Sequence, residues 1–224
     1  MFSHAFAAGA LLGTAISPLV CVSAAERSPV AAAEDVVARV TPSAKGSVLF
    51  HLNPDQGNKI TISGIAGGIR VEASDVRRLV AGYGWYLKNI AKVHFSWNGN
   101  RITLPSPLPV PASPVTVESP WNIVFAYNYC TLSYTAAFWD WNRWQREIDF
   151  LALNGFTHAL VTAGLEKTWE DFLTGLGYPR EKALRFIPNP AFAAWWNMGN
   201  LEGHGGPLSQ QQINKRAQIG RAHV

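Results

Sequence analysis

Cysteine is nearly absent from this 224-residue chain, with Cys21 and Cys130 its only two. Cys21 falls inside an N-terminal leader, so Cys130 is left alone and no internal disulfide is available. Stability therefore has to come from core burial. The six histidines are dispersed, none at ligand spacing from a cysteine or carboxylate, so no metal site is expected. A basic stripe is missing too. The net charge of +4 and pI near 9.2 are mildly basic, but the cations are scattered, which argues against a nucleic-acid partner. Charged residues amount to 15% against 48% hydrophobic, the balance of a globular chain rather than a disordered one. Beyond the leader no apolar stretch is long enough for a membrane span. No cofactor is expected.

The leader itself lacks Asp, Glu, Lys and Arg over Met1 to Ala25. It runs through Ala5-Phe-Ala-Ala-Gly-Ala-Leu-Leu12 to Val22-Ser-Ala-Ala25, where small residues suit a signal peptidase. Its first residues offer His4 in place of a Lys or Arg, and Pro18 argues against a spanning helix. Residues 1–25 are thus expected to be a signal peptide, and the mature protein to be secreted or periplasmic.

After residue 25 the chain reads as an α/β protein in two parts. Ala32 to Val40 suits a short helix, and Ser47–Leu52, Lys59–Ser63 and Ile69–Glu72 read as strands. Ser74 is a candidate N-cap for a helix through Ile90, burying Val76, Leu79, Val80, Tyr83 and Leu87. Val93–Trp97, the turn Asn98-Gly99 and Arg101–Leu104 read as a hairpin. Residues 34–104 are expected to form a small α/β accessory domain without chemistry of its own. Residues 105–120 hold six prolines, a stiff extended segment that suits a linker.

From Trp121 the pattern is strand, helix, strand. The apolar run Ile123–Tyr127 precedes an amphipathic helix with Trp141, Trp144, Ile148 and Leu151 on one face. Arg143, Arg146, Glu147 and Asp149 take most of its other surface, and Asn154-Gly155 ends it. Phe156–Val161 comes next as a second strand. A βαβ unit needs a parallel sheet covered by helices. After a loop at Ala163–Lys167, Thr168 is a candidate cap for a helix with Trp169, Phe172, Leu173 and Leu176 in register. Shorter helices are expected from Pro179 to Phe186 and after Pro190. Repeated strand-then-helix order is the opening of a (β/α)8 barrel, which needs about 250 residues.

Asn128-Tyr-Cys-Thr-Leu-Ser-Tyr134, Trp139-Asp-Trp-Asn-Arg-Trp144, Glu147-Ile-Asp149 and Leu153-Asn-Gly155 carry a resemblance, joined by Pro190-Ala-Phe-Ala-Ala-Trp195, Met198-Gly-Asn-Leu201 and Gly206-Pro207. These motifs resemble, in the same order, the start of the catalytic domain of the alpha-N-acetylglucosaminidases, glycoside hydrolase family 89. The resemblance covers roughly residues 35–215. It implies an N-terminal fragment, with residues 121–218 the start of an incomplete TIM barrel. The family's reaction is retaining hydrolysis of terminal alpha-linked N-acetylglucosamine by two carboxylates, which in the family lie on later strands. No catalytic residue is therefore expected here, and the chain as given is expected to be inactive. Ile219-Gly-Arg-Ala-His-Val224 is what a widely used sequencing adapter encodes when read in frame, so residues 219–224 are expected to be a non-native tail. Animal members of the family are lysosomal.

The resemblance further implies that Asn128, Cys130, Trp195 and Met198 line a sugar pocket. An amide gives both donor and acceptor to sugar hydroxyls, and an indole face stacks on a pyranose. Three have a plainer role open to them: Asn128 satisfying backbone groups at a strand end, Trp195 in the core, Met198 filling a gap; Cys130 reads as a small wall residue of the pocket rather than a nucleophile. Cys130 has no adjacent His to activate it as a nucleophile. Of the tryptophans at 139, 141 and 144, only Trp139 is a candidate for the rim. Glu166 reads as structural and His158 as a core histidine. The expected partner is a glycan ending in N-acetylglucosamine. Two alternatives are a secreted non-catalytic carbohydrate-binding module and a related barrel glycosidase of different sugar specificity.

Overall fold

A computed structural model describes residues 27–202 and 205–222. The leader, and with it Cys21, lies outside the described residues. Helix α1 (Ala31–Val40) is followed by strands β1 (Val48–Leu52), β2 (Lys59–Ile65) and β3 (Gly68–Ala73) and by helix α2 (Val76–Asn89). The strands form a mixed sheet in which β3 is central, parallel to β1 and antiparallel to β2. Alternation along β2 turns Ile60 and Ile62 inward, and β3 adds Ile69, Val71 and Ala73. Helices α1 and α2 cover that face with Val36, Val37, Leu79, Val80, Tyr83 and Leu87. Within this core the hydroxyl groups of Thr41 and Tyr83 share a 2.6 Å hydrogen bond, which satisfies two polar groups that burial would otherwise strand.

Three local expectations shift here. Helix α2 is capped by Asp75, which accepts from the Arg78 N–H at 3.0 Å, while the Ser74 hydroxyl donates to the Gly57 carbonyl. The hairpin shrinks to two paired residues on each side, β4 (His94–Phe95) and β5 (Asn100–Arg101). Within the proline-rich segment, β6 (Val115–Glu118) pairs antiparallel with β2 and becomes the fourth strand of the sheet. None of its four residues is a proline, so every N–H of the strand remains a donor.

The second part begins with β7 (Phe125–Ala126), helices α3 (Tyr129–Tyr134) and α4 (Trp141–Leu153), and β8 (His158–Ala159). Strands β7 and β8 are parallel neighbours, as a βαβ unit requires. They are short and partly open to solvent. Phe125 is 57% exposed, and His158 also lies at the surface, its Nδ1 hydrogen-bonded to the Thr157 hydroxyl. Helices α5 (Leu165–Gly175), α6 (Arg180–Phe186), α7 (Ala193–Asn197) and α8 (Gln210–Ala222) complete the described chain. Helix α5 starts earlier than Thr168 would place it. Gly164 stands before it in the left-handed region at φ +98, a conformation glycine adopts without steric cost.

Helix α4 docks on the first part, and this docking reverses the expected roles of its acidic residues. Glu147 and Asp149 are buried, at 0% and 3% exposure. A buried carboxylate needs partners, and each has at least one across the junction. Glu147 accepts from Trp97 Nε1 at 3.1 Å, from Arg143 at 2.9 Å and from the Tyr127 hydroxyl. Asp149 takes a two-pronged contact from Arg39, at 2.9 and 2.7 Å. Arg146 reaches the hairpin, donating to the Ser96 carbonyl and lying 4.4 Å over the Phe95 ring. Gly84 of α2 lets the helices close: a Cβ there would lie 1.8 Å from the Leu153 carbonyl oxygen. Leu153 itself joins the core of the first part.

Candidate functional site

The turn from β7 into α3 is tight. Tyr127 sits at φ +75, a left-handed conformation that costs a non-glycine residue about 1–3 kcal/mol. Its ring packs in a second core with Leu132, Ala136, Trp144 and Ala163, and its hydroxyl donates to Glu147. Burial and the neighbouring carboxylate drive its pKa far above the usual phenol range, so it remains a donor.

Directly after β7 the chain winds into α3, ahead of the helix that the amphipathic pattern marks. Asn128 is the N-cap: its Oδ1 accepts from the Thr131 N–H at 3.0 Å and from the Thr131 hydroxyl at 3.1 Å. The amide nitrogen of the same side chain remains as a donor. Cys130 lies within the first turn, half-buried and unpaired as a thiol.

Helix α7 packs beside α3, and one buried hydroxyl joins them. Ser133 Oγ donates to the Pro190 carbonyl at 3.1 Å and accepts from the Ala194 N–H at 2.9 Å. Trp195, half-buried on α7, meets Tyr134 of α3 edge-on with ring centroids 4.9 Å apart. Met198 closes α7 and is 43% exposed. The four residues singled out by the motifs thus lie on, or cap, two packed helices, α3 directly after β7 and α7 after α6. Sequence reasoning missed Ser133 and Tyr134. Tyr134 carries a visible signal, an aromatic residue one helical turn past Cys130. Ser133 carries none, because its partners lie 57 and 61 residues away.

Glu166, at the start of α5, is locked. Its Oε1 accepts from Arg216 Nε at 2.5 Å and its Oε2 from the Gly164 N–H at 3.0 Å, at 3% exposure. Arg216 also donates to the Ala137 carbonyl at 2.8 Å, tying α8 to the loop before α4. Asp140 is likewise committed, capping α4 through the Arg143 N–H at 2.9 Å. The surface built by α3 and α7 offers an amide, a thiol, a thioether and aromatic faces. Among the described residues, α3 and α7 themselves carry no acid and no histidine.

Two family models match the chain. The alpha-N-acetylglucosaminidase N-terminal domain fits residues 31–110, and the alpha-N-acetylglucosaminidase tim-barrel domain fits residues 124–223. The chain belongs to the alpha-N-acetylglucosaminidase family. Human alpha-N-acetylglucosaminidase is 39% identical over 145 residues, 65% of this chain and 20% of that protein. The chain therefore spans about one fifth of the length of this curated relative. A family 89 glycoside hydrolase from Clostridium perfringens, in complex with 2-acetamido-1,2-dideoxynojirmycin, matches with TM-score 0.81 and 30% identity over 87% of this chain and 23% of that one. A doubly substituted family 89 enzyme of the same organism, in complex with its substrate GlcNAc-alpha-1,4-galactose, matches with TM-score 0.81 and 28% identity, again over 87% and 23%.

With the alpha-N-acetylglucosaminidase family established, the parallel pair β7–β8 and its helices are the first part of a TIM barrel, and α1 to β5 belong to the family's N-terminal domain. In such barrels function gathers at the carboxyl ends of the strands. Asn128 and Cys130 come after β7 at that end.

Proposed function

We propose that the chain is the N-terminal part of a secreted, exo-acting, retaining alpha-N-acetylglucosaminidase that removes terminal alpha-linked N-acetylglucosamine from glycans. Asn128, Cys130, Trp195 and Met198 form one wall of its sugar pocket. The observation that supports this reading is the pairing of α3 and α7 through Ser133: Asn128 and Cys130 belong to the cap and first turn of one helix, Trp195 and Met198 to the body and cap of the other. Asn128 then has two roles at once: its oxygen caps α3, and its nitrogen donates to a sugar oxygen. Trp195 supplies a flat apolar face to the pyranose.

Retaining hydrolysis needs two carboxyl groups about 5–5.5 Å apart. Asp140 and Glu166, which come after the two strands, are both engaged in caps or ion pairs. The acid/base and the nucleophile accordingly come from the part of the family's barrel beyond this chain, and the chain alone binds without turning over.

The test compares this chain with an open reading frame that carries the relatives' remaining length, both given an aryl alpha-N-acetylglucosaminide. The longer protein is expected to hydrolyse it with the alpha anomer released first, and the 224-residue chain to release nothing. Turnover by the short chain, or a beta anomer as first product, would sink the reading.

A further inference from the structure

A cleft of about 390 Å³ opens between the loop that leads into α4 and helix α8. That volume is within the roughly 300–1,000 Å³ of small-ligand sites. On the loop side it is walled by Phe138 and Trp141, which are 72% and 37% exposed. Clustered aromatic surface this open to water marks recognition more often than packing. Between them Trp139 is held in place, edge-on to Trp144 at 5.2 Å and with the Arg143 guanidinium 3.9 Å over its face. Trp139, the expected rim candidate, thus lines the cleft itself, and Trp141 faces it as well.

The opposite side is polar. Gln212 and Lys215 come from α8, and Asn142 lies beside Trp141. The Oε1 atom of Gln212 accepts from the Ser209 N–H and hydroxyl at 2.9 and 3.0 Å, which leaves its Nε2 as a donor. The lining residues bring one carboxylate, Asp140, and two cations, Lys215 and Arg216; Arg216 is paired with Glu166, so the formal charges cancel.

We propose that this cleft binds a neutral oligosaccharide segment. Pyranose faces stack on Phe138 and Trp141, and hydroxyl groups pair with Asn142 and Gln212. The proposal rests on reading the chain as part of a glycan-processing protein, but it uses residues other than Asn128, Cys130, Trp195 and Met198.

The 224-residue chain, titrated with lacto-N-tetraose, reports through tryptophan fluorescence and calorimetry. Saturable binding with a blue-shifted emission is expected, weakened about tenfold or more in Trp141→Ala and unchanged in Trp195→Ala. Free N-acetylglucosamine should give the opposite pattern, so loss of one response leaves the other readable. Should Trp141→Ala fail to fold, the double variant Asn142→Ala/Gln212→Ala, on exposed side chains, decides in its place. No saturable response from the folded chain, equal affinity in the variants, or tighter, salt-sensitive binding of the sialylated tetrasaccharide would each overturn the proposal.

Discussion

Replacing Glu147 with alanine removes one carboxylate and affects three partners at once. The side chain is fully buried, and Trp97 Nε1, Arg143 and the Tyr127 hydroxyl all donate to it. Truncation leaves Arg143 without its counter-ion and two donors without an acceptor. Breaking a buried ion pair from one side costs about 3–5 kcal/mol, a large share of the roughly 5–15 kcal/mol that stabilises a domain. Glu147→Gln keeps the shape and loses the charge, so about 1–3 kcal/mol is expected. Glu181→Ala serves as the control: its pair with Arg185 is 78% and 68% exposed, and a loss within about 0.5 kcal/mol is expected. Urea denaturation tracked by far-UV circular dichroism would read these differences, with the Glu147→Ala midpoint lower by on the order of 2 M at a typical slope. If Glu147→Ala and Glu181→Ala melt together, the carboxylate does not hold the junction and the argument from burial fails.

Two further outcomes concern the same region. Gly84→Ala puts a methyl group where the Leu153 carbonyl oxygen already is, 1.8 Å away, and should cost about 3 kcal/mol or more in a melt; Gly175→Ala, with no atom within 4 Å, should be neutral or gain up to about 1 kcal/mol. Burial pushes the Tyr83 phenol up to about 12, partly opposed by its bond to Thr41. Because the folded pKa lies above the ordinary 10, Tyr83's contribution is whole below pH 10 and is lost as pH rises toward 12. The loss is about 3 kcal/mol for Tyr83 alone, and Tyr83→Phe should flatten the fall in stability over that range; an unchanged slope would count against it.

Much of this fold was legible because its signals are local. Alternation in Lys59–Ser63, the helical spacing of α2 and the Asn154-Gly155 stop each depend on a few neighbouring residues. What escaped depends on partners distant in the chain. Glu147 and Asp149 look like solvent residues on a helical wheel, and partners such as Trp97 and Arg39, 50 and 110 positions away, help to make their burial tolerable. The same holds for α5, where Glu166 and Glu170 are buried while Phe172 and Leu176 are 55% and 61% exposed. At the site, the motifs pointed to Asn128 and Trp195 but could not indicate that Asn128 caps a helix or that Ser133 fastens α3 to α7. His158 departs from its apolar neighbourhood in the sequence because β8, two residues long, leaves it at the surface.

The fourth strand of the first sheet has a practical bearing on how this molecule can be divided. The two family domains stop at residue 110 and resume at residue 124, and β6 falls in the interval. Cutting at the first of these borders would strip β2 of a neighbour and leave its backbone donors facing water along a new edge. A cut after Glu118 keeps that sheet whole while still taking Leu153 from the core it joins, so the passage from one half to the other is a girder of the first half rather than a tether between them.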